Sequence, residues 1–180
     1  MNQKSYFGIA FSTLLSASYL VSLPTSTSAN TLSSSNRQLS KSVIEVAQAT
    51  NVDTNGVERS IFEQINQYRA SKGLSPFTRN SKIDSQAKNH SQNIASGKAG
   101  FGHGGFSERI KATGISYRGA AENVAYNQGY KDSATQAVQG WIKSPGHRGN
   151  IEGKFSQTGI GVATNGKGEI YFTQIFLNNR

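Results

Sequence analysis

Apolar positions in "VERSIFEQINQYRASK", residues 57–72, fall at Val57, Ile61, Ile65 and Tyr68, the spacing of one face of an amphipathic helix. Gly73 and Pro76 supply its stop. The spacing recurs in "SKIDSQAKNHSQNIASG", residues 81–97, with Ile83, Ala87, His90 and Ile94 on the stripe and Gly97 at the end. Ser81 and Asp84 there resemble a capping box. A third long helix is predicted from Asp132 or Ser133, its stripe made by Ala134, Ala137, Val138, Trp141 and Ile142, and Pro145 forces Ser144 out of the helical region. Between the second and third helices, "GKAGFGHGGF" reads as a Gly-rich loop, "SERIKATG" as a short helical turn capped by Ser107, and "RGAAENVAY" as a strand. Beyond His147 the period changes to two: "TGIGVAT" and "EIYFTQIF" flank "NGKG", an Asn-Gly signal for a β-hairpin. The glycines of "GIGVATNGKG" therefore precede a hairpin and do not form a phosphate loop. Helices mixed with antiparallel strands give the class α+β in one domain, residues 56–180.

The chain begins differently. "MNQK" is a short basic start, and "SYFGIAFSTLLSASYLVSL" is an uncharged apolar run followed by Pro24 and small residues. This is the pattern of a secretory signal, with cleavage expected between Ala29 and Asn30; an uncleaved membrane anchor is the alternative. Residues 30–55 are rich in Ser, Thr, Asn and Gln and read as a flexible tether. The expected location is thus secreted or periplasmic.

Composition narrows the chemistry. With no Cys, a disulfide framework, a thiolate metal site and a thiol nucleophile are all excluded, and packing must supply the stability. The formal charge of +9 becomes +8 once Lys4 leaves with the signal. That excess suits anionic surfaces such as envelope polymers or lipid head groups, and equally a soluble, self-repelling surface, which goes with a monomer. Lys and Arg are scattered and not clustered with aromatics, which argues against nucleic acid.

Of the three histidines, His90 lies on an apolar stripe and is read as structural. His103 and His147 sit among glycines, in "GHGG" and "PGHRG", where another chain or a ligand can approach the ring. Glu122 lies in a small, apolar strand and must face solvent, pair with a cation or line a cavity. Two imidazoles and a carboxylate suit Zn²⁺ or another divalent metal with an open position, and without metal they suit general acid–base work. Asn123 and Arg148 are further candidate ligand contacts, Asn150 is a tie for the loop after Pro145, and Trp141 is assigned to the core.

Five stretches in order, "INQYRASKGLSPF", "FGHGGFSERIKATGI", "AAENVAY", "GWIKSPGHRGNI" and "TGIGVA" with a final strand, resemble the CAP superfamily (SCP domain) in its cysteine-free bacterial form over residues 57–176. The resemblance implies a three-layer α-β-α sandwich with a small antiparallel sheet. It places the family's cavity histidines on His103 and His147 and the acid of its "GEN" motif on Glu122, with Ala121 in place of Gly. A second acid found in many members corresponds here to Ser144. Members of the family variously bind metal, bind sterols or lipids, or are proposed proteases. The leading expectation is a non-catalytic module of the cell exterior that binds a small molecule, lipid or envelope polymer near His103, Glu122 and His147, with metal optional. A structural His-Glu-His clasp comes second. A hydrolase using Glu122, His147 and His103 comes third, having no nucleophile elbow in its favour.

Overall fold

The computed structural model describes residues 52–179. The expected signal segment, and the expected tether through residue 51, lie outside the described residues. Nine elements follow in chain order: α1 (Thr54–Ser71), β1 (Thr78–Arg79), α2 (Ser81–Ala95), α3 (Phe106–Ala112), β2 (Tyr117–Gln128), α4 (Ser133–Lys143), α5 (Pro145–Ile151), β3 (Gln157–Thr164) and β4 (Glu169–Asn179). The strands form one sheet in the order β1-β3-β4-β2. Its three long strands are antiparallel, as expected, while the two-residue β1 runs parallel to β3 and makes the sheet mixed. Helices α1, α4 and α5 cover one face and α2 with α3 the other, so the three-layer α+β sandwich is present.

The hairpin forms where Asn165 signals it: its carbonyl accepts from Gly168 N, and its side chain accepts from Lys167 N and Glu169 N. Asp132 caps α4 through Thr135 N at 3.0 Å. Other caps differ from expectation. α1 begins at Thr54, its cap Asp53 accepting from Gly56 N, so the last residues of the expected tether are already helical. Asn80, not Ser81, caps α2, because Asp84 is drawn away to Ile160 N and Arg79. Gly105 precedes α3 in a left-handed conformation, φ 74°, and Ser107 lies inside the helix. Pro145 ends α4 and at once opens α5 from its first position, where its missing N–H costs nothing, so His147 is helical and not in a loop.

Gly159 and Gly161 have a role that periodicity does not reveal. A Cβ at Gly159 would collide with the backbone of Ile83 and Asp84, and one at Gly161 with the backbone of Ala87 and Lys88. The bare strand therefore lets α2 lie directly on β3, with Ser91 Oγ donating to Gly161 O at 2.9 Å. Gly161→Ala is expected to lower the unfolding free energy by about 3 kcal/mol, the upper range of overpacking costs; a urea midpoint within error of the parent would contradict this packing.

Candidate functional site

Side chains alternate along a strand, so on β2 Glu122 turns toward α2 and α3 while Asn123 turns toward α4 and α5. The Glu122 side chain is only 1% exposed. Its charge is met by Arg109 of α3, whose Nη2 reaches Oε1 at 2.7 Å and Oε2 at 2.8 Å, with Nε on Oε2 at 3.0 Å. A forked, charge-assisted pair of this kind is the ordinary requirement for burying a carboxylate. His103 Nδ1 lies 3.0 Å from Oε1. Since a carboxylate only accepts, this contact puts a proton on Nδ1.

The Gly-rich loop carrying His103 is fastened twice more. Arg109 Nη1 donates to Gly104 O at 2.6 Å, and His90 Nε2 donates to Gly102 O at 2.8 Å. His90 is thus a buried structural imidazole, as expected. Burial pushes its pKa below the ordinary value, partly offset by the Gly102 hydrogen bond.

On the opposite face Asn123, fully buried, donates through Nδ2 to His147 O at 3.1 Å. Asn150 Nδ2 donates to Asn123 Oδ1 at 2.9 Å and Glu122 O at 3.4 Å. Arg148 Nη1 donates to Ile142 O at 3.1 Å, near the end of α4. Asn123 and Arg148, expected as ligand contacts, are therefore engaged in holding α5 to β2 and α4. Asn150 ties its segment down as expected. His147 is 7% exposed. Burial lowers its pKa from the ordinary 6.5, and charge on His103 lowers it further.

Of the predicted trio, His103 and Glu122 are in direct contact. Glu122 joins His103 but is turned to Arg109, which sequence reasoning did not name, and among the described residues no group of three His, Cys, Asp or Glu side chains is placed to hold a metal ion. The donor set thus does not fit Zn²⁺ on His103, Glu122 and His147: the carboxylate is already neutralised, and only two imidazoles remain. The same pairing disfavours Glu122 as a proton shuttle. Arg109 could be sought on the rule that a buried acid needs a cation, yet spacing does not select it from 19 Lys and Arg.

His147 lines a groove that the sequence did not reveal. Its walls are Val124, Ala125, Tyr126 and Asn127 of β2, Tyr130, then Gln136, Ala137, Gly140 and Trp141 of α4, and Ser144. Trp141 belongs to the core as expected, at 1% exposure, but its Nε1 has no hydrogen-bond partner among the described residues. Asn127 spends Nδ2 on Ser133 O, while its buried Oδ1 is likewise unpartnered. The groove encloses about 460 Å³ with its open mouth. It is narrow, and no lining side chain is Asp, Glu, Lys or Arg.

The sequence model of the cysteine-rich secretory protein (CAP) family matches residues 62–176. YkwD of Bacillus subtilis (strain 168) is 31% identical over 126 residues, 67% of this chain and 46% of its own. A Bacillus anthracis structure described as an extracellular protein containing a SCP domain is 25% identical, with a TM-score of 0.58 over 69% of this chain and 41% of that one. The chain thus spans less than half the length of both. An outer surface protein from Borrelia burgdorferi, 16% identical with a TM-score of 0.62 over 72% of this chain and 97% of its own, shares the fold.

Glu122→Gln is expected to cost about 3 kcal/mol in denaturant unfolding, since it strands the Arg109 guanidinium, and Glu122→Gln with Arg109→Met less than that. Equal losses in the two variants would show that the ion pair is not what holds α3 to β2. His147 and His90, both lowered from 6.5, bind protons more readily when unfolded. Their contribution is accordingly full above about pH 6.5 and lost as pH falls through their folded values. Unfolding free energy measured from pH 7.5 to 4.5 should decline below pH 6.5, and less steeply in His147→Asn; parallel slopes would contradict the buried neutral ring.

Proposed function

The chain belongs to the CAP, or cysteine-rich secretory protein, family, and from that premise we propose that it is a non-catalytic ligand-binding module of the cell exterior whose ligand occupies the groove between β2 and α4. The observation that carries this reading is the pair of buried, unpartnered polar atoms, Trp141 Nε1 and Asn127 Oδ1, on residues that line one groove. A buried donor or acceptor left unpaired costs about 1–3 kcal/mol, and both atoms lie just beneath the groove wall. His147 adds a largely neutral imidazole to the same lining.

The His103–Glu122–Arg109 group belongs to the scaffold in this reading. It keeps the Gly-rich loop and α3 against β2, a clasp in which Arg109 stands where the expected His-Glu-His arrangement had His147. A hydrolase has less support. Glu122 is committed to Arg109, and although Ser144 and His147 both line the groove, no hydrogen bond joins their side chains among the described residues. Location outside the cytoplasm is supported by the apolar N-terminal run and by the relative described as extracellular.

Trp141 is the chain's single Trp, so its emission reports on the groove alone. Titration with palmitate, a muropeptide and a mixture of capped heptapeptides should give a saturable change in Trp141 emission with at least one probe. Gly140→Leu, which fills the groove from α4, should weaken that binding at least ~10-fold, equivalent to about 1.4 kcal/mol. No emission change with any probe overturns the reading.

A further inference from the structure

Near the start of α1 three side chains of different chemistry converge. Asn55 and Glu58 stand three residues apart, and so on one face of the helix. Lys88 of α2 reaches both: its Nζ donates to Asn55 Oδ1 at 3.2 Å and lies 3.3 Å from Glu58 Oε1. One amine thus has a primary amide on one side and a carboxylate on the other. The group shares no residue with the groove between β2 and α4.

Two of the three partners are held in place from behind. A Cβ at Gly161 would collide with the backbone nitrogen of Lys88, so the root of the lysine is pressed on β3 and its side chain starts from a fixed point. Glu58 is gripped on both oxygens. Oε1 accepts from Val162 N at 3.1 Å and Oε2 from Arg79 Nη2 at 3.0 Å, and the side chain is 8% exposed. Arg79 is itself anchored, its Nε donating to Asp84 Oδ1 at 2.9 Å. Asn55 completes the group from the exposed first turn of α1, where a nitrogen released from its amide passes directly to solvent.

An ion pair and a hydrogen bond describe this group at rest, and the same atoms are the reactants of an amide exchange. Holding amine and amide in contact makes their encounter intramolecular, a gain that in well-oriented pairs reaches about 10⁵ M of effective concentration. A carboxylate beside the amine supplies the proton carrier that such an exchange needs.

We propose that Lys88 and Asn55 join through an amide bond, a covalent tie between α1 and α2 in a chain that has no cysteine. Nζ attacks Asn55 Cγ, the Nζ–Cγ bond forms and the Cγ–Nδ2 bond breaks. The Lys88 ammonium gives up two protons in the process, passed by Glu58 to the departing nitrogen, which leaves as ammonium. Glu58 ends ionised, as it began. No electron is transferred and no further reactant is consumed. Arg79 keeps its own charge and holds the carboxylate in position. The tie fastens the turn where the described domain begins to the helix laid on β3. It restricts the unfolded chain as a disulfide does, without depending on redox conditions.

Intact mass spectrometry of the purified chain, held at about 37 °C and pH 8.5 for about two weeks, should show a growing fraction about 17 Da lighter, the loss of one ammonia. Mass alone is not sufficient, because Asn55 precedes Gly56 and Asn165 precedes Gly166, and closure of an Asn side chain on a following Gly sheds the same mass. A tryptic digest should therefore contain a branched peptide joining Asn55 to Lys88. That peptide should be missing from Asn55→Ala and from Lys88→Arg, which keeps the charge beside Glu58. Glu58→Gln, scored on chains that still unfold cooperatively, should slow its appearance at least ~100-fold. No branched peptide at the end of the incubation overturns the proposal. So does a mass loss that persists in Lys88→Arg without a branched peptide, which would assign it to closure at an Asn-Gly pair.

Discussion

The pairing of Glu122 with Arg109 is the constraint on which the site depends. A carboxylate 1% exposed inside an apolar strand is tolerable only with a fixed counter-charge. The forked guanidinium provides it and so dictates where α3 lies relative to β2. The same guanidinium holds Gly104 O, and the same carboxylate holds His103, so one ion pair sets the course of a loop rich in glycine and otherwise poor in packing. Orientation follows from the charge balance. Nδ1 of His103 is committed to the carboxylate, and the acid that looked like a ligand or a base is part of the frame.

What lies beyond that frame depends on how β2 is left at the margin of the sheet. The opposite margin is closed by two carboxylates and a short parallel strand. On β2, Asn150 and Asn123 fasten α5 at Glu122 and Asn123, and Val124 next to them is buried. α4 continues past the strand but meets it through small residues, Ala137 and Gly140, which line a gap instead of filling it. An edge strand with unpaired backbone is a liability that proteins usually cover or blunt.

The elements that local chemistry decides were readable from the sequence: the three amphipathic stripes, the Asp132 cap and the Asn165 turn each need only neighbours within a few residues. Caps and contacts decided by distant partners were not. Asp84 stands three residues after a plausible cap, Ser81, yet Ile160 N, far along the chain, claims it. Gly159 and Gly161 look like ordinary strand glycines until α2 is laid on them. Arg109 is one cation among many until the fold brings it to Glu122. Trp141 fits the core stripe, and that reading is right for its ring; nothing in a helical period tells whether the indole N–H finds a partner. His103 and Glu122 were found because their environment is unusual in composition, and their meeting with Arg109 is a three-dimensional fact.

Charge completes the account by its distribution. The chain carries nine positive charges in excess, yet the groove lining contains none, and Ser144 stands there where many family members carry an acid. Net charge acts over roughly the Debye length, about 8 Å at physiological salt, and governs encounter and retention near anionic surfaces. Recognition in an uncharged, partly enclosed slot must instead come from dipoles at hydrogen-bonding distance and from shape. These are separable contributions: added salt should weaken attachment to an anionic surface while leaving groove contacts nearly unchanged. On the proposed reading the two are independent: surface charge would govern encounter with an anionic surface, and the groove the choice of ligand.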